Sequence, residues 1–191
     1  MEKTAIGIGL LSLLFLLGAC SGGKTDARVE HLQKEYAALT AYHTGAEVTV
    51  PRGEELLRYT LDVTAQDGKS NIRVIKPDYL TGIEAHLEGE ELSLSYDAVV
   101  LDAASTCESI SGVNCVARTV NAVAHGFAES YAPDGDGLYV RFRMQSGGED
   151  LYYNVRFDKD GKLLSCEIES EETVVIYLGF DAWEHRLPDG A

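Results

Sequence analysis

Residues 55–66, ELLRYTLDVTAQ, set Leu57, Tyr59, Leu61, Val63 and Ala65 on one side and Arg58, Thr60, Asp62, Thr64 and Gln66 on the other. Successive Cβ atoms of an extended chain point to opposite faces, so this period of two is a long strand with one dry and one wet face. One-sided burial of this kind marks antiparallel sheet. Going forward, QDGKS (66–70) is a turn and NIRVIK (71–76) a strand ended by Pro77. GIEAHLE (82–88), the turn EGEE (88–91) and LSLSYDAVVL (92–101) continue an antiparallel meander.

Between Ala103 and Val113 the alternation lapses into small and polar residues. NCVARTVNAVAHGFAES (114–130) then offers Asn114 as N-cap and a stripe of Val116, Val120, Val123 and Phe127, which predicts a second helix. Its β-branched residues and Gly126 make it intrinsically weak, so packing must hold it. YAPDGDG (131–137) is turn chemistry, and LYVRFRMQ, LYYNVRF, KLLSCEIE and TVVIYLGF are four further strands. Their inward sets include Leu138, Val140, Phe142 and Met144 on the first and Leu164, Cys166 and Ile168 on the third.

Going backward, Val29, Leu32, Tyr36 and Leu39 recur at helical spacing between charges, predicting one amphipathic helix over 26–42. No βαβ alternation occurs. The fold expected is α+β: a curved antiparallel sheet or unclosed β-barrel with helices covering its concave face.

The chain opens with LLSLLFLLGACSGGK at 10–24. The uncharged run from Ala5 to Leu17 is too short for a membrane span, which needs about 20 residues. With Lys3 before it and small residues after it, the run reads as a secretory signal. Leu17-Gly18-Ala19-Cys20 resembles the lipobox of bacterial lipoproteins, in which the cysteine is acylated and becomes the first mature residue. An ordinary signal peptide with a chance cysteine is the alternative. The resemblance implies an exported chain anchored by acyl chains, palmitate among them, on Cys20. It places the chain at the outer face of the cell membrane, or at the outer membrane of a cell that has two. The organisation is then a signal peptide at 1–19, Cys20 and tether at 20–25, and one domain at 26–191. A tether of this length reaches about 20 Å at ~3.5 Å per residue.

Loss of 1–19 removes one Lys and one Glu, so the net charge of −15 is unchanged. That charge repels nucleic-acid phosphates, and nucleic acid is not an expected partner. A domain of this size buries roughly 70% of its unfolded surface and needs neither metal nor disulfide to hold its core. Cys107, Cys115 and Cys166 remain as an odd set; the first two close a small loop and are a possible disulfide.

No Gly-x-Ser-x-Gly elbow, HExxH, Walker loop or paired CxxC occurs, and no cofactor, metal site or catalytic residue is expected. His31, His43, His86, His125 and His185 are scattered singly, and Cys115 and His125 lie about three turns apart on one helix. Asp158, Asp160 and Glu169 mimic a calcium loop. Its sixth position, which needs glycine, is Leu163, so FDKDGKLL is a hairpin turn with Gly161 at positive φ.

The helix in ARVEHLQKEYAALTAYHTGAEVTV (27–50) and the meander RVIKPDYLTGIEAHLEGEELSLSYD (73–97) together resemble the lipoprotein-sorting carrier family, LolA/LolB-like, including its anchored relatives. The resemblance implies an unclosed barrel with a helical lid over a hydrophobic cavity that holds acyl chains. Ligand-cavity candidates are the inward residues Tyr59, Leu61, Val63, Leu92, Leu94 and Phe142, with Val120, Val123 and Phe127 on the lid. The expected function is a non-enzymatic, membrane-anchored lipoprotein that binds lipid or another hydrophobic molecule. The alternative is a sensor or protein-binding module of the same fold, with a packed core and an envelope-protein partner.

Overall fold

The structure is a computed structural model, and it describes residues 27–188 except 90, 97–98, 107–110 and 172. Cys20, the signal segment, the tether and Cys107 lie outside the described residues.

Helix α1 (Ala27–Ala37) leads into β1 (Ala41–Arg52), β2 (Glu55–Gln66), β3 (Lys69–Lys76), a short 3-10 turn (Asp78–Leu80), β4 (Ile83–Glu88), β5 (Glu91–Tyr96) and β6 (Val99–Thr106). Helix α2 (Cys115–His125) is followed by β7 (Phe127–Asp134), β8 (Gly137–Ser146), β9 (Glu149–Phe157), β10 (Leu163–Ser170) and β11 (Thr173–Arg186). The strands form one antiparallel sheet in the order β6-β5-β4-β3-β2-β1-β11-β10-β9-β8-β7. Within β1–β6 and within β7–β11 each strand pairs with its neighbour in sequence, and the two meanders join where β1 meets β11 at the centre, with Ala46 opposite Phe180 and Val48 opposite Leu178. The sheet is unclosed, with β6 and β7 as its two edges. The segment holding α2 runs from one edge to the other. This is the α+β half-barrel expected from the alternation.

The concave face carries the core: Ala46 and Val48 of β1, Leu61 and Val63 of β2, Ile72 and Val74 of β3, then Val140, Phe142, Tyr153, Val155 and Ile168 across the second half. Helix α1 contributes Val29, Leu32 and Tyr36, and α2 contributes Cys115, Val116, Val120, Ala122 and Val123. The helices meet each other, and the Gln33 amide donates to the Gly126 carbonyl at 2.8 Å.

Four readings of the sequence are corrected. The first helix ends at Ala37 rather than Tyr42, because Tyr42 and His43 are already in β1, paired with Ala65 and Thr64. The second helix ends at His125. A Cβ on Gly126 would lie 2.4 Å from the Ala122 carbonyl oxygen and 3.1 Å from the Phe142 Cβ, so the chain turns sharply there and β7 begins at once. Phe127 therefore leaves the helical stripe; it opens an edge strand, is 64% exposed, and lies 5.6 Å from the Arg143 guanidinium. Leu164 is 49% exposed, because a bulge between Leu163 and Ser165 turns Leu163 inward in its place.

Asn114 precedes α2 as read, but its side chain does not cap the helix: Oδ1 accepts the Ser111 N–H at 2.7 Å, closing the preceding turn. Asp158 has a similar local role. Its Oδ1 accepts the amides of Asp160 and Lys162 at 2.9 and 2.8 Å, and Gly161 has φ +80°, so the acidic loop is a hairpin turn.

Replacing Phe142, fully buried under α2, by Ala is expected to cost about 3–5 kcal/mol through lost burial and an added cavity. The same change at exposed Phe127 is expected to cost no more than about 1 kcal/mol. Urea melts of the two variants check this.

Candidate functional site: a cleft at one end of the half-barrel

In an antiparallel meander the hairpins gather at two ends. The β2–β3 and β4–β5 hairpins share one end with the β7–β8 and β9–β10 hairpins. Helix α1 starts at that end, where the Arg28 guanidinium reaches the Gly137 carbonyl, and crosses it toward β1. There a cleft of about 450 Å³ opens between the C-terminal turn of α1, the outer side of α2 and the hairpin ends of β2–β5. This is within the range of small-ligand pockets, roughly 300–1,000 Å³.

Its apolar wall is Tyr36, Leu39 and Tyr42 from the α1–β1 corner, Leu87 from β4, and Ala117, Val120 and Ala124 from α2. Gln66, Ser70, Arg118, Asn121 and His125 add polar groups. Helical periodicity explains the double use of α2. Cys115, Val116, Thr119, Ala122 and Val123 face the core, whereas Ala117, Arg118, Asn121, Ala124 and His125 follow one another up the side that faces the cleft.

The wall is held by an aromatic stack. Trp183 of β11 lies between Tyr36 (centroids 5.8 Å apart, planes at 16°) and Tyr42 (5.2 Å, 19°), while Phe157 meets Tyr36 edge-on at 5.9 Å. The Tyr36 hydroxyl donates to the Gly161 carbonyl at 2.9 Å. His185 accepts from the Trp183 indole N–H at 3.2 Å and meets Glu35 of α1 at 3.2 Å. Burial pushes the Tyr36 and Tyr42 phenols up, and a hydrogen bond to Ser70 pulls Tyr42 partly back.

Of the residues singled out from sequence, Val120 lines the cleft. Leu61, Val63, Val123 and Phe142 are buried in the core between sheet and helices, and Tyr59, Leu92 and Leu94 are half-buried beside it. Tyr59 instead meets the loop before α2, lying 3.2 Å from where a Gly112 Cβ would stand. Tyr42, Ser70, Arg118, Ala124 and His125 were missed. For Arg118, Ala124 and His125 the signal was present in α2, whose non-core side is small and polar without a single carboxylate; Tyr42 in β1 and Ser70 in β3 gave none.

Among the described residues no group of three or more His, Cys, Asp or Glu side chains could hold a metal ion, and no helix is long and apolar enough to cross a membrane. Cys115 is buried and free, with its thiol on the Gly112 carbonyl at 3.3 Å, whereas His125 is exposed at the far end of the helix. Burial pushes the Cys115 thiol up to about 12 and raises that of buried Cys166 too.

No family model matches the chain, and no curated protein matches its sequence. Solved structures do. An uncharacterized conserved protein from Thermus thermophilus is similar at TM-score 0.50 and 10% identity, over 84% of this chain and 88% of that one. LolA superfamily protein NE2245 from Nitrosomonas europaea aligns at TM-score 0.45 and 11% identity, over 84% and 95% of the two chains. A chain of the Clostridioides difficile complex of the CwlD amidase with the GerS lipoprotein aligns at 0.48 and 17%, over 86% and 98%. These are likenesses of fold alone, and what this chain itself shows is one unclosed antiparallel sheet with two helices in its concavity.

The thiols give a pH dependence. An unfolded thiol ionises near pH ~8.5, whereas folded Cys115 and Cys166 hold their protons well above that. Above pH ~8.5 the unfolded chain releases protons that the folded chain keeps, so stability is full below that pH and falls as pH rises toward 12. The urea midpoint is expected to decline between about pH 8 and 10.5. Alkylation of Cys115 and Cys166 at about pH 8 should require denaturant.

Proposed function

We propose that this chain is an exported lipoprotein, anchored through acyl chains on Cys20, whose half-barrel holds one lipid or other hydrophobic ligand in the cleft between α1, α2 and the β2–β3 and β4–β5 hairpins. The observation that carries the reading is the cleft itself. It is a recess of about 450 Å³ walled by Tyr36, Leu39, Tyr42, Leu87 and Val120, beside a concave face on which Leu61, Val63, Val140, Phe142 and Tyr153 are fully buried. Its position supports the reading as well. The cleft opens at the end of the sheet where α1 begins, so a tether joining α1 to a lipidated Cys20 sets its mouth within reach of the bilayer. The role is binding rather than catalysis. The acyl chain lies in the cleft at the end of the half-barrel, not along the middle of the sheet, where Leu61, Val63 and Phe142 are closed over.

A second reading, a protein-binding module of the same fold, is favoured by the opposite end. Tyr79 in the 3-10 turn is 78% exposed there, with Leu56, Tyr96 and Val99 also exposed on neighbouring strands. Such apolar surface suits an envelope-protein partner.

Two experiments test the proposal. The wild-type chain should enter the detergent phase on Triton X-114 partition and Cys20→Ser the aqueous phase; a wild type wholly in water contradicts the anchor. A fluorescent fatty-acid probe should bind the Cys20→Ser chain one to one, and Ala124→Phe, which fills the cleft from α2, should reduce that binding at least ~10-fold with the melting midpoint retained. Equal binding by both chains removes the cleft as the site.

A further inference from the structure

Arg118 sits in a setting unlike that of any other arginine described. Three arginines are half-buried: Arg118, Arg141 and Arg143. Arg141 pairs with Glu169 at 2.8 Å and Glu129 at 3.5 Å, and Arg143 with Glu129 at 3.2 Å and Asp150 at 3.5 Å. No carboxylate among the described residues pairs with Arg118. A partly desolvated guanidinium with no counter-charge among the described residues is an arrangement that an anion from outside them would stabilise.

The cleft around it is equally selective. The chain carries 31 Asp and Glu residues and a net charge of −15, yet among the described residues no acidic side chain lines this cleft. Three other recesses of the surface each hold acids: Asp67 and Glu184 in one, Asp134 and Glu167 in the next, Asp62 and Glu84 in the third. Asn121 and His125 follow Arg118 along the cleft side of α2, and both are exposed. The cleft thus has an apolar wall of tyrosine, leucine and alanine beside one positive group, with further polar donors toward the rim.

We infer that the ligand is an anionic amphiphile, a single acyl chain ending in a carboxylate or phosphate, whose head group pairs with the Arg118 guanidinium while its chain lies against Tyr36, Leu39 and Leu87. The planar fork of arginine suits both head groups, since each offers two oxygens to parallel N–H donors. The inference rests on the hydrophobic-ligand reading above and names the chemistry of its ligand.

The test uses the full chain carrying Cys20→Ser, which has no acyl groups of its own, loaded with the fluorescent fatty-acid probe. Dodecanoate, dodecyl phosphate, dodecanol and dodecyltrimethylammonium are compared as displacers below their micelle-forming concentrations. Both anions are expected to displace the probe at least ~10-fold better than the alcohol or the cation. Arg118→Gln should bring dodecanoate down to the level of dodecanol while leaving dodecanol unchanged, and Arg118→Lys should keep part of the preference. Arg73→Gln removes the same charge from the outer, exposed Arg73–Glu84 pair and should leave the preference intact, which separates the local contact from net charge. Dodecanol equal to the anions in the wild type, or a preference that survives Arg118→Gln, overturns the inference and leaves the hydrophobic site standing. Failure of every displacer and of the probe itself overturns both. The ratio between the anions identifies the source: better displacement by the carboxylate points to free fatty acid, and by the phosphate to a phospholipid fragment.

Discussion

Trp183 between Tyr36 and Tyr42 is the contact on which the rest of the architecture depends. The sheet is a meander except at its centre, where the first strand must find the last, and Tyr42 and Trp183 belong to those two strands. Tyr36 brings α1 to the same place. Three segments far apart in sequence are thereby joined by stacked rings, each ring pair adding about 0.5–1.5 kcal/mol beyond the area it buries. The Glu35–His185 contact and the bond from Tyr36 to Gly161 fix the orientation of the helix over this joint. Two of the three rings also face the cleft, so the element that closes the fold is the one that shapes the site.

The second constraint is the open sheet. An unclosed, strongly apolar concave face must be covered, and the chain covers it with the segment that travels from edge strand β6 to edge strand β7. Helix α2 is short and rich in β-branched residues, so its helicity comes from packing. Gly126 allows it to stop hard against Phe142. Because one side of α2 is fully used by the core, its other side is free to carry small residues and a lone arginine.

Most of the sheet was legible in the sequence because one-sided burial writes a period of two into β2, β3, β8 and β9. The two strands that escaped did so for opposite reasons. At β1, Leu39 in the turn before the strand and Tyr42 within it continue the spacing of Val29, Leu32 and Tyr36 closely enough to extend the helix on paper, and the pairing of β1 with β2 and β11 overrides it. In β7, nearly every residue is exposed or half-buried, so an edge strand leaves no alternation to read. Phe127 then passes for the last member of a helical stripe. The candidate site was less legible, since apolar inward positions mark the core and a cavity alike. What distinguishes the cleft is that none of its described lining residues is a carboxylate, and that is visible only when residues from α1, α2 and four strands are brought together.

Whether the cleft beside the Trp183 stack is filled in the cell is read by native mass spectrometry of the protein purified gently from the cells that make it. A filled cleft gives a second, non-covalent species, one per chain, with the mass of a single-chain anionic amphiphile, in addition to any acyl groups held covalently. A protein that flies only as the bare chain, or with neutral species in variable number, has no such ligand in its cleft.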